Sequence, residues 1–191
     1  MVLSDRTIKE EIAKGRIVIE PLNPDCIQPA SVDLHLDKKI LAFKPQRHPA
    51  YIDVRRSMDH LNELAELDED NAFFLNPGEL ILASTLESVT LPDDIVGRLE
   101  GKSSLGRMGL LINSTAGYVD PGWQGHLTIE VSNVAKLPIT LYYKMKIGQI
   151  SFLRLTTPVD RLYGTAELGS KYKGQVEPTA TKFYEDIARG S

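Results

Sequence analysis

The chain has 191 residues, of which 42% are hydrophobic and 25% are charged, and its formal net charge at pH 7 is −4. This length and composition are typical of one globular domain with a sizeable core. The acidic balance gives no overall attraction to a nucleic-acid backbone, and no apolar run approaches the roughly 20 residues that cross a bilayer. We therefore expect a small molecule as partner, and neither a nucleic acid nor a membrane.

The cysteine content bears on the cellular compartment. Cys26 is the only cysteine, which excludes an internal disulfide and favours a reducing, cytoplasmic location. The first residues lack the basic and apolar regions of a signal peptide, which is consistent with that location. A lone cysteine is more often a small packing residue than a nucleophile, so we expect Cys26 to serve in packing.

The first predicted element is a short helix over residues 6–14, capped by Ser4 or Asp5 and ended by Gly15. After it, alternating or β-branched runs recur between turn signals that contain proline. Many short strands at this spacing predict a mainly β fold, either a barrel or a double-sheet jelly roll. The predicted strands are residues 31–36, 80–85, 95–99, 127–131, 139–142 and 147–153.

Two segments have more than one interpretation. Residues 60–71 are acidic and contain leucines, which fits either a short helix or a surface excursion. The last thirty residues carry glycine and lysine without apolar periodicity, so they form either an arm or lid or a frayed terminus. We divide the chain into a single β domain, residues 1–158, and a C-terminal arm, residues 159–191, that belongs to the same domain.

A basic segment rich in hydroxyl groups follows the run at residues 95–99. Lys102 and Arg107 supply positive charge, Ser103 and Ser104 supply hydroxyl donors, and Gly106 permits close approach of the backbone. This set suits a phosphate group, although a polar β-turn with exposed basic residues has the same composition. The segment is not a Walker P-loop, because the glycines before it stand too close together and the flanking sequence is strand-like.

A turn and a strand further along carry two carboxylates. Asp120 opens an Asp-Pro-Gly turn of type I or II, where aspartate usually caps the turn, and Trp123 after it serves either in core packing or against a sugar. Alternation along residues 127–131 places Thr128 and Glu130 on one face. Glu130 is then either exposed or held in a polar pocket, where a carboxylate can act as a general base.

Zinc chemistry has little support in the sequence. The four histidines are scattered, there is no second cysteine, and the zinc-deaminase signature is absent. No Gly-x-Ser-x-Gly elbow marks a serine hydrolase. The histidines are His35, His48, His60 and His126.

The chain closely resembles, over nearly its full length, the dCTP deaminase branch of the dUTPase-like superfamily. The matching segments are residues 3–5, 28–34, 76–78, 101–107, 115–123, 127–133, 147–149 and 169–175. The resemblance implies a distorted β-barrel or jelly roll of the dUTPase-like type, with a short N-terminal helix and an arm that closes over the nucleotide. It also implies a homotrimer with shared active sites, and Mg²⁺ carried by the triphosphate without direct protein ligands.

The resemblance further implies roles for individual residues. Glu130 is the general base that takes a proton from the water attacking C4 of cytosine, without zinc, while Ser103 and the carbonyl of Ala116 hold that water. Arg107 stabilises charge, and Trp123 lies where relatives exclude a ribose 2′-hydroxyl. The residues implied to bind the nucleotide are Lys102, Ser103, Ser104, Leu105, Gly106, Arg107, Asp120, Thr128, Ile129, Glu130, Gln149, Tyr163, Lys171 and Gln175.

One pair of residues separates two branches within that family. Members that release dUTP tend to carry His-Arg after a Thr-Ala pair, whereas members that continue to dUMP carry glycine and an aromatic residue. Gly117 and Tyr118 stand here, so the resemblance favours conversion of dCTP and two waters to dUMP, ammonia and diphosphate. The alternatives are a monofunctional deaminase that releases dUTP, a plain dUTPase, which has no need of an acidic residue at position 130, and a non-catalytic nucleotide sensor.

Overall fold

The computed structural model describes residues 1–44, 51–112 and 116–190. Short 3₁₀ turns cover Pro24–Cys26, Asp59–Leu61 and Ala166–Leu168. The described helices are α1 Asp5–Ala13, α2 Ser103–Gly106 and α3 Phe183–Ala188. The described strands are β1 Val18–Glu20, β2 Ile27–Gln28, β3 Ser31–Phe43, β4 Asn62–Glu66, β5 Phe73–Leu75, β6 Leu80–Thr90, β7 Ile95–Gly101, β8 Leu110–Ile112, β9 Tyr118–Val119, β10 Gln124–Asn133, β11 Ile139–Leu141 and β12 Lys146–Arg154.

Most of these strands belong to one antiparallel sheet in the order β8-β10-β6-β3-β12-β7-β9. Strand β1 extends the sheet beside β6, β2 and β4 pair with β3, and β5 pairs with β11 in a small separate ribbon. The neighbouring strands pair antiparallel, as β6 does with both β10 and β3, and β12 does with both β3 and β7. The expectation of a mainly β fold is therefore confirmed.

The long strand β3 joins the two halves of the sheet. Its first part, Val32 to His35, pairs with β12, and its later part, Leu36 to Ala42, pairs with β6. The register against β6 shifts between Leu36 and Ile40, and such an irregularity bends a strand. The sheet therefore curls around an apolar interior, in which Leu36 and Ile40 are fully buried.

The N-terminal helix agrees with its prediction to within a residue. α1 begins after Ser4, which occupies the cap position in an extended conformation without a capping bond from its side chain. Ile8 is fully buried, and Gly15 has a φ of +68° just beyond the helix. Of the helices in the described ranges, none combines the length and apolar character needed to cross a membrane.

Five of the six predicted strands lie within observed strands, and the sixth, residues 139–142, extends one residue beyond β11. The structure also decides the open segment at residues 60–71, which does not form an α-helix. Its core is strand β4, which pairs antiparallel with β3 from Asn62 to Glu66. Most β4 side chains face solvent, so the hydrophobic alternation that marks a half-buried strand is weak here.

The C-terminal arm packs along β10. The N–H of Gly174 donates to Gln124 O at 2.7 Å, the N–H of His126 donates to Gln175 O at 3.0 Å, and Thr179 N donates to the Thr128 hydroxyl at 3.2 Å. The arm ends in α3. In the described structure these residues are therefore attached to the sheet rather than frayed, while the boundary at residue 158 stays a prediction.

Candidate active site

The wall of the candidate site is formed by β10, and a bulge in β6 fixes its orientation. Leu127 and Ile129 are buried in the core, whereas Thr128 and Glu130 are half-buried on the opposite face, as the alternation predicts. The register between β6 and β10 shifts around Leu127. There the Thr85 hydroxyl accepts the Leu127 N–H at 3.0 Å. The bulge thereby keeps Thr128 and Glu130 on the face away from the core.

A cavity of about 310 Å³ lies against this face of β10. Its other walls come from the segment around β9, from the turn that follows β9, and from the C-terminal arm. Its volume is at the lower end of the range for small-molecule sites. The lining residues are Leu82, Leu99, Ala116, Tyr118, Val119, Asp120, Trp123, Leu127, Thr128, Glu130, Tyr163, Tyr172, Gln175, Thr179 and Thr181.

The Asp-Pro-Gly turn positions Asp120 and Trp123 at this cavity. Asp120 O accepts the Trp123 N–H at 3.1 Å, and Gly122 has a φ of +83°, which defines a type II turn. The Trp123 indole is buried, donates to Gly125 O at 3.1 Å, and packs 5.4 Å from the Tyr163 ring. Trp123 therefore belongs to the core and also lines the cavity.

The arm contributes polar groups to the opposite wall. Burial raises the pKa of the Tyr163 hydroxyl, and the charge of Asp120 adds to this effect, so the hydroxyl stays neutral at physiological pH. Its oxygen accepts the Tyr172 N–H at 3.3 Å. The Gln175 amide donates to His126 O at 2.9 Å, while its buried Oε1 has no hydrogen-bond partner among the described residues.

The segment predicted to bind phosphate lies outside this cavity. Ser103, Ser104, Gly106 and Arg107 are exposed on the one-turn helix α2 or just after it. Lys102, which precedes α2, forms an ion pair with the buried carboxylate of Asp33. The structure thus brings Asp120, Trp123, Thr128 and Glu130 together at one cavity but keeps residues 102–107 of the same chain apart from them.

Other predicted residues also lie outside the cavity lining. The Ile129 side chain is in the core, so only its main chain is open to a ligand, and Leu105 packs against that core. Gln149 on β12 accepts the Ser31 hydroxyl at 3.0 Å. Lys171 forms an ion pair with Asp186 of α3.

Gly117 and its neighbours connect the cavity to β7. Gly117 O accepts the Leu99 N–H at 2.7 Å, although Gly117 itself does not line the cavity. The exposed Tyr118 ring lies 6.0 Å from the Arg98 guanidinium. Thr115, the first residue of the matching segment 115–123, lies outside the described residues, as does His48.

The sequence interpretation missed several residues that the structure places at the site. Tyr172, Thr179 and Thr181 of the arm line the cavity, as does Leu82 of β6. Tyr172 lies inside segment 169–175, which matches the family, so the sequence did mark this residue. Thr179 and Thr181 lie outside the matching segments, and nothing beyond their hydroxyl groups marked them. Asp33 was inside a matched segment too but had no assigned role.

The chemistry open to this site follows from its groups. Two carboxylates, an amide and several hydroxyl groups around one small cavity can hold a polar heterocycle and accept a proton from water. Within the part of the chain that the structure describes, no group of three or more His, Cys, Asp and Glu side chains is arranged to hold a metal ion. Cys26 is buried, as its expected packing role requires, and burial raises the pKa of its thiol.

Comparison with known proteins identifies the family. A profile of the dCTP deaminase-like family matches residues 2–155. A "dCTP deaminase, dUMP-forming" of Mycobacterium sp. (strain KMS) is 52% identical over 189 residues, which are 99% of either chain. The protein of the same description from Nocardia farcinica is 54% identical over 184 residues, covering 96% of this chain and 92% of that one.

The fold is also similar to a solved structure. The crystal structure of 2′-deoxycytidine 5′-triphosphate deaminase from Agrobacterium tumefaciens superimposes with a TM-score of 0.61 at 27% identity. The match covers 81% of this chain and 48% of that longer chain. With its curled β sheet and the full-length similarity to curated relatives, the chain belongs to the dCTP deaminase-like family and is a hydrolytic deaminase.

Proposed function

We propose that the protein converts dCTP and two waters to dUMP, ammonia and diphosphate. The observation that carries the proposal is the position of Glu130, whose carboxylate lies on the wall of the same cavity as Thr128, Asp120 and Tyr163. The similarity of the protein to relatives described as dUMP-forming extends over nearly the whole chain and also supports the proposal. The product dUMP would serve as a precursor of dTTP.

The deamination step follows from the chemistry of cytosine. Glu130 takes one proton from a water while the water oxygen bonds to C4, and passes this proton to N3, which gives a tetrahedral C4. The proton of the new C4 hydroxyl then moves through Glu130 to the exocyclic amine. The C4–N bond breaks, and ammonia leaves as the C4 carbonyl of uracil forms. Ser103 and the carbonyl of Ala116 hold the water, and Thr128 and Gln149 address the base. A positioned base of this kind accounts for about 10²–10⁴-fold of a rate enhancement.

The sugar and the phosphates need further groups. Asp120 receives the 3′-hydroxyl at the type II turn, and Trp123 packs beside the ring where a 2′-hydroxyl would stand. Lys102, Ser104 and Arg107 bind the phosphates, with Arg107 stabilising charge as a second water attacks the α-phosphorus and diphosphate leaves. Tyr163, Lys171 and Gln175 close over the nucleotide from the arm.

We assign the complete site to a homotrimer. Ser103, Ser104, Gly106 and Arg107 are exposed, and all of residues 102–107 lie outside the cavity of their own chain, whereas the proposed reaction needs them beside Glu130. A second copy that presents this segment at the cavity supplies the missing phosphate half. A cytoplasmic location belongs to the same proposal.

Magnesium enters this proposal with the substrate. The described residues provide no cluster of acidic or histidine ligands for it, and Mg²⁺ prefers phosphate oxygens together with water. When bound, the ion neutralises phosphate charge. This chain's own part is to hold the phosphates through Lys102, Ser104 and Arg107 and to orient the α-phosphorus.

Product analysis tests the function. Purified protein is incubated with dCTP and Mg²⁺, and dUTP, dUMP, ammonia and diphosphate are quantified over time. We expect dUMP, ammonia and diphosphate in equal amounts with little free dUTP. Stoichiometric accumulation of dUTP would identify the monofunctional alternative, turnover of dUTP but not dCTP would identify a plain dUTPase, and binding without turnover would identify a sensor.

A further inference from the structure

A buried carboxylate with two lysine partners lies beside the proposed phosphate segment. Asp33 of β3 is 3% exposed. Lys102 contacts its Oδ1, and the Lys146 ammonium lies 3.1 Å from its Oδ2. We name Asp33, Lys102 and Lys146 the Asp33 cluster. Lys146 is the first residue of β12 and has no role in the function proposed above.

The cluster carries more positive charge than its carboxylate requires. Burial alone would raise the pKa of Asp33, but hydrogen bonds from Lys102 and Lys146 outweigh burial and lower that pKa. The carboxylate is therefore ionised at neutral pH, and two ammonium groups share one negative charge. A single lysine would neutralise Asp33, so the three side chains of the cluster together carry a net charge of +1.

Both lysines are accessible to a ligand. The Lys102 side chain is 24% exposed and the Lys146 side chain is 44% exposed, although each is held at one oxygen of a fixed carboxylate. Such fixed and partly desolvated ammonium groups are suited to bind phosphate. Lys102 continues directly into α2, and Gln149 lies opposite Asp33 in the β3–β12 register. The cluster is therefore continuous with the proposed phosphate segment.

We infer that Lys146 binds the terminal phosphates of the nucleoside triphosphate together with Lys102, and that Asp33 is the positioning residue for both ammonium groups. This inference rests on the proposed function. It identifies Lys146 as a residue that holds the two phosphates of the substrate that leave as diphosphate. The expected ligand chemistry is that of two linked phosphate groups.

The experiment measures binding of inorganic diphosphate to the full chain by calorimetry. The variants are K146M, K146Q and K146R, with K38M as the matched control, because Lys38 also lies in an ion pair on β3 but contacts Glu66. We expect K146M and K146Q to weaken diphosphate binding about tenfold, the low end for a hydrogen bond to a charged group. K146R should recover most of the affinity, and K38M and the binding of deoxycytidine should be unchanged.

Diphosphate affinity within twofold of the parent in K146M and K146Q would overturn the inference. The positioning role of Asp33 is tested by repeating K146M in a D33N background. If Asp33 holds Lys146 in place, the effect of K146M shrinks to below about twofold, since coupled residues are not additive. A full tenfold effect in D33N would instead overturn the positioning role. Turnover of dCTP by the parent tests the proposed function separately.

Discussion

Gly117 packs so closely on Leu99 that position 117 has no room for a side chain. A Cβ at Gly117 would lie 2.9 Å from the carbonyl oxygen of Leu99, while the Gly117 carbonyl accepts the Leu99 N–H at 2.7 Å. Glycine at this position thus permits the segment to hydrogen-bond directly to β7.

Substitution of Gly117 should therefore move the segment away from β7. We expect G117A to lower the free energy of unfolding by about 1–3 kcal/mol, as overpacking usually does, and to raise the fraction of dUTP among the products of dCTP. Thermal unfolding and product analysis check both effects. G101A is the control, because a Cβ there meets only Ile112 at an ordinary 3.7 Å. An unchanged product ratio in G117A would separate Gly117 from the second hydrolysis.

The role of Glu130 can be tested without changing the size of the side chain. We expect E130Q to lose deamination by about 10²–10⁴-fold, because the amide cannot accept the proton of the attacking water. Nucleotide binding should persist. S132A is a matched control from the same face of β10. Deaminase activity of E130Q within a few-fold of the parent would remove this residue from the mechanism.

A second prediction about stability concerns how the free energy of unfolding changes at low pH. Burial alone would raise the pKa of Glu11, but hydrogen bonds from Arg16 and Arg154 outweigh it and lower that pKa. A carboxyl group with a lowered pKa in the folded state stabilises the fold above its ordinary pKa, and this contribution is lost as the pH falls through the folded value.

We therefore expect the free energy of unfolding of E11Q to be about 1–3 kcal/mol lower than that of the parent at pH 7. This loss is smaller than the loss on breaking a fully buried ion pair, because the guanidinium groups of Arg16 and Arg154 reach solvent. The difference should shrink toward zero as the pH falls through the lowered pKa of Glu11, where the parent loses its charge too. Denaturant unfolding of both proteins across this pH range measures it. A difference independent of pH would show that hydrogen bonding alone, without charge, explains the contribution.

The bulge that orients β10 depends on one buried hydroxyl. The Thr85 side chain is fully buried, donates to Glu87 O at 2.7 Å and accepts the Leu127 N–H at 3.0 Å. T85V keeps the shape but leaves both main-chain groups unsatisfied, so we expect a loss of about 1–3 kcal/mol in the free energy of unfolding. T140V on the exposed side of β11 serves as control. Equal stability of T85V and T140V would contradict the prediction.

Deletion of the arm tests whether it serves catalysis more than folding. A chain that ends at Pro158 lacks Tyr163 and Gln175 and therefore one wall of the cavity. We expect it to fold, since most of the core residues precede the cut, and to turn over dCTP poorly. Circular dichroism and the product assay check both points. An unfolded product would show that the arm is structural.

The strongly patterned elements were predictable from local sequence. Helix α1 and six strands had clear periodicity, and the faces of β10 followed from alternation alone. β4 was not predictable, because its side chains are mostly exposed and its pairing with β3 spans a long separation in sequence. For the turn at Asp120, proline and glycine in the sequence left two possible types, I and II. The φ of Gly122 in the structure shows that it is type II.

By itself, the sequence determined the mainly β fold, the family and the residue types of the site, because periodicity and short motifs are local properties of the chain. Only the tertiary structure decided which of those residues meet. Contact depends on sheet register and on the path of the arm, which join residues as distant as Asp33 and Lys146, or Thr128 and Thr179.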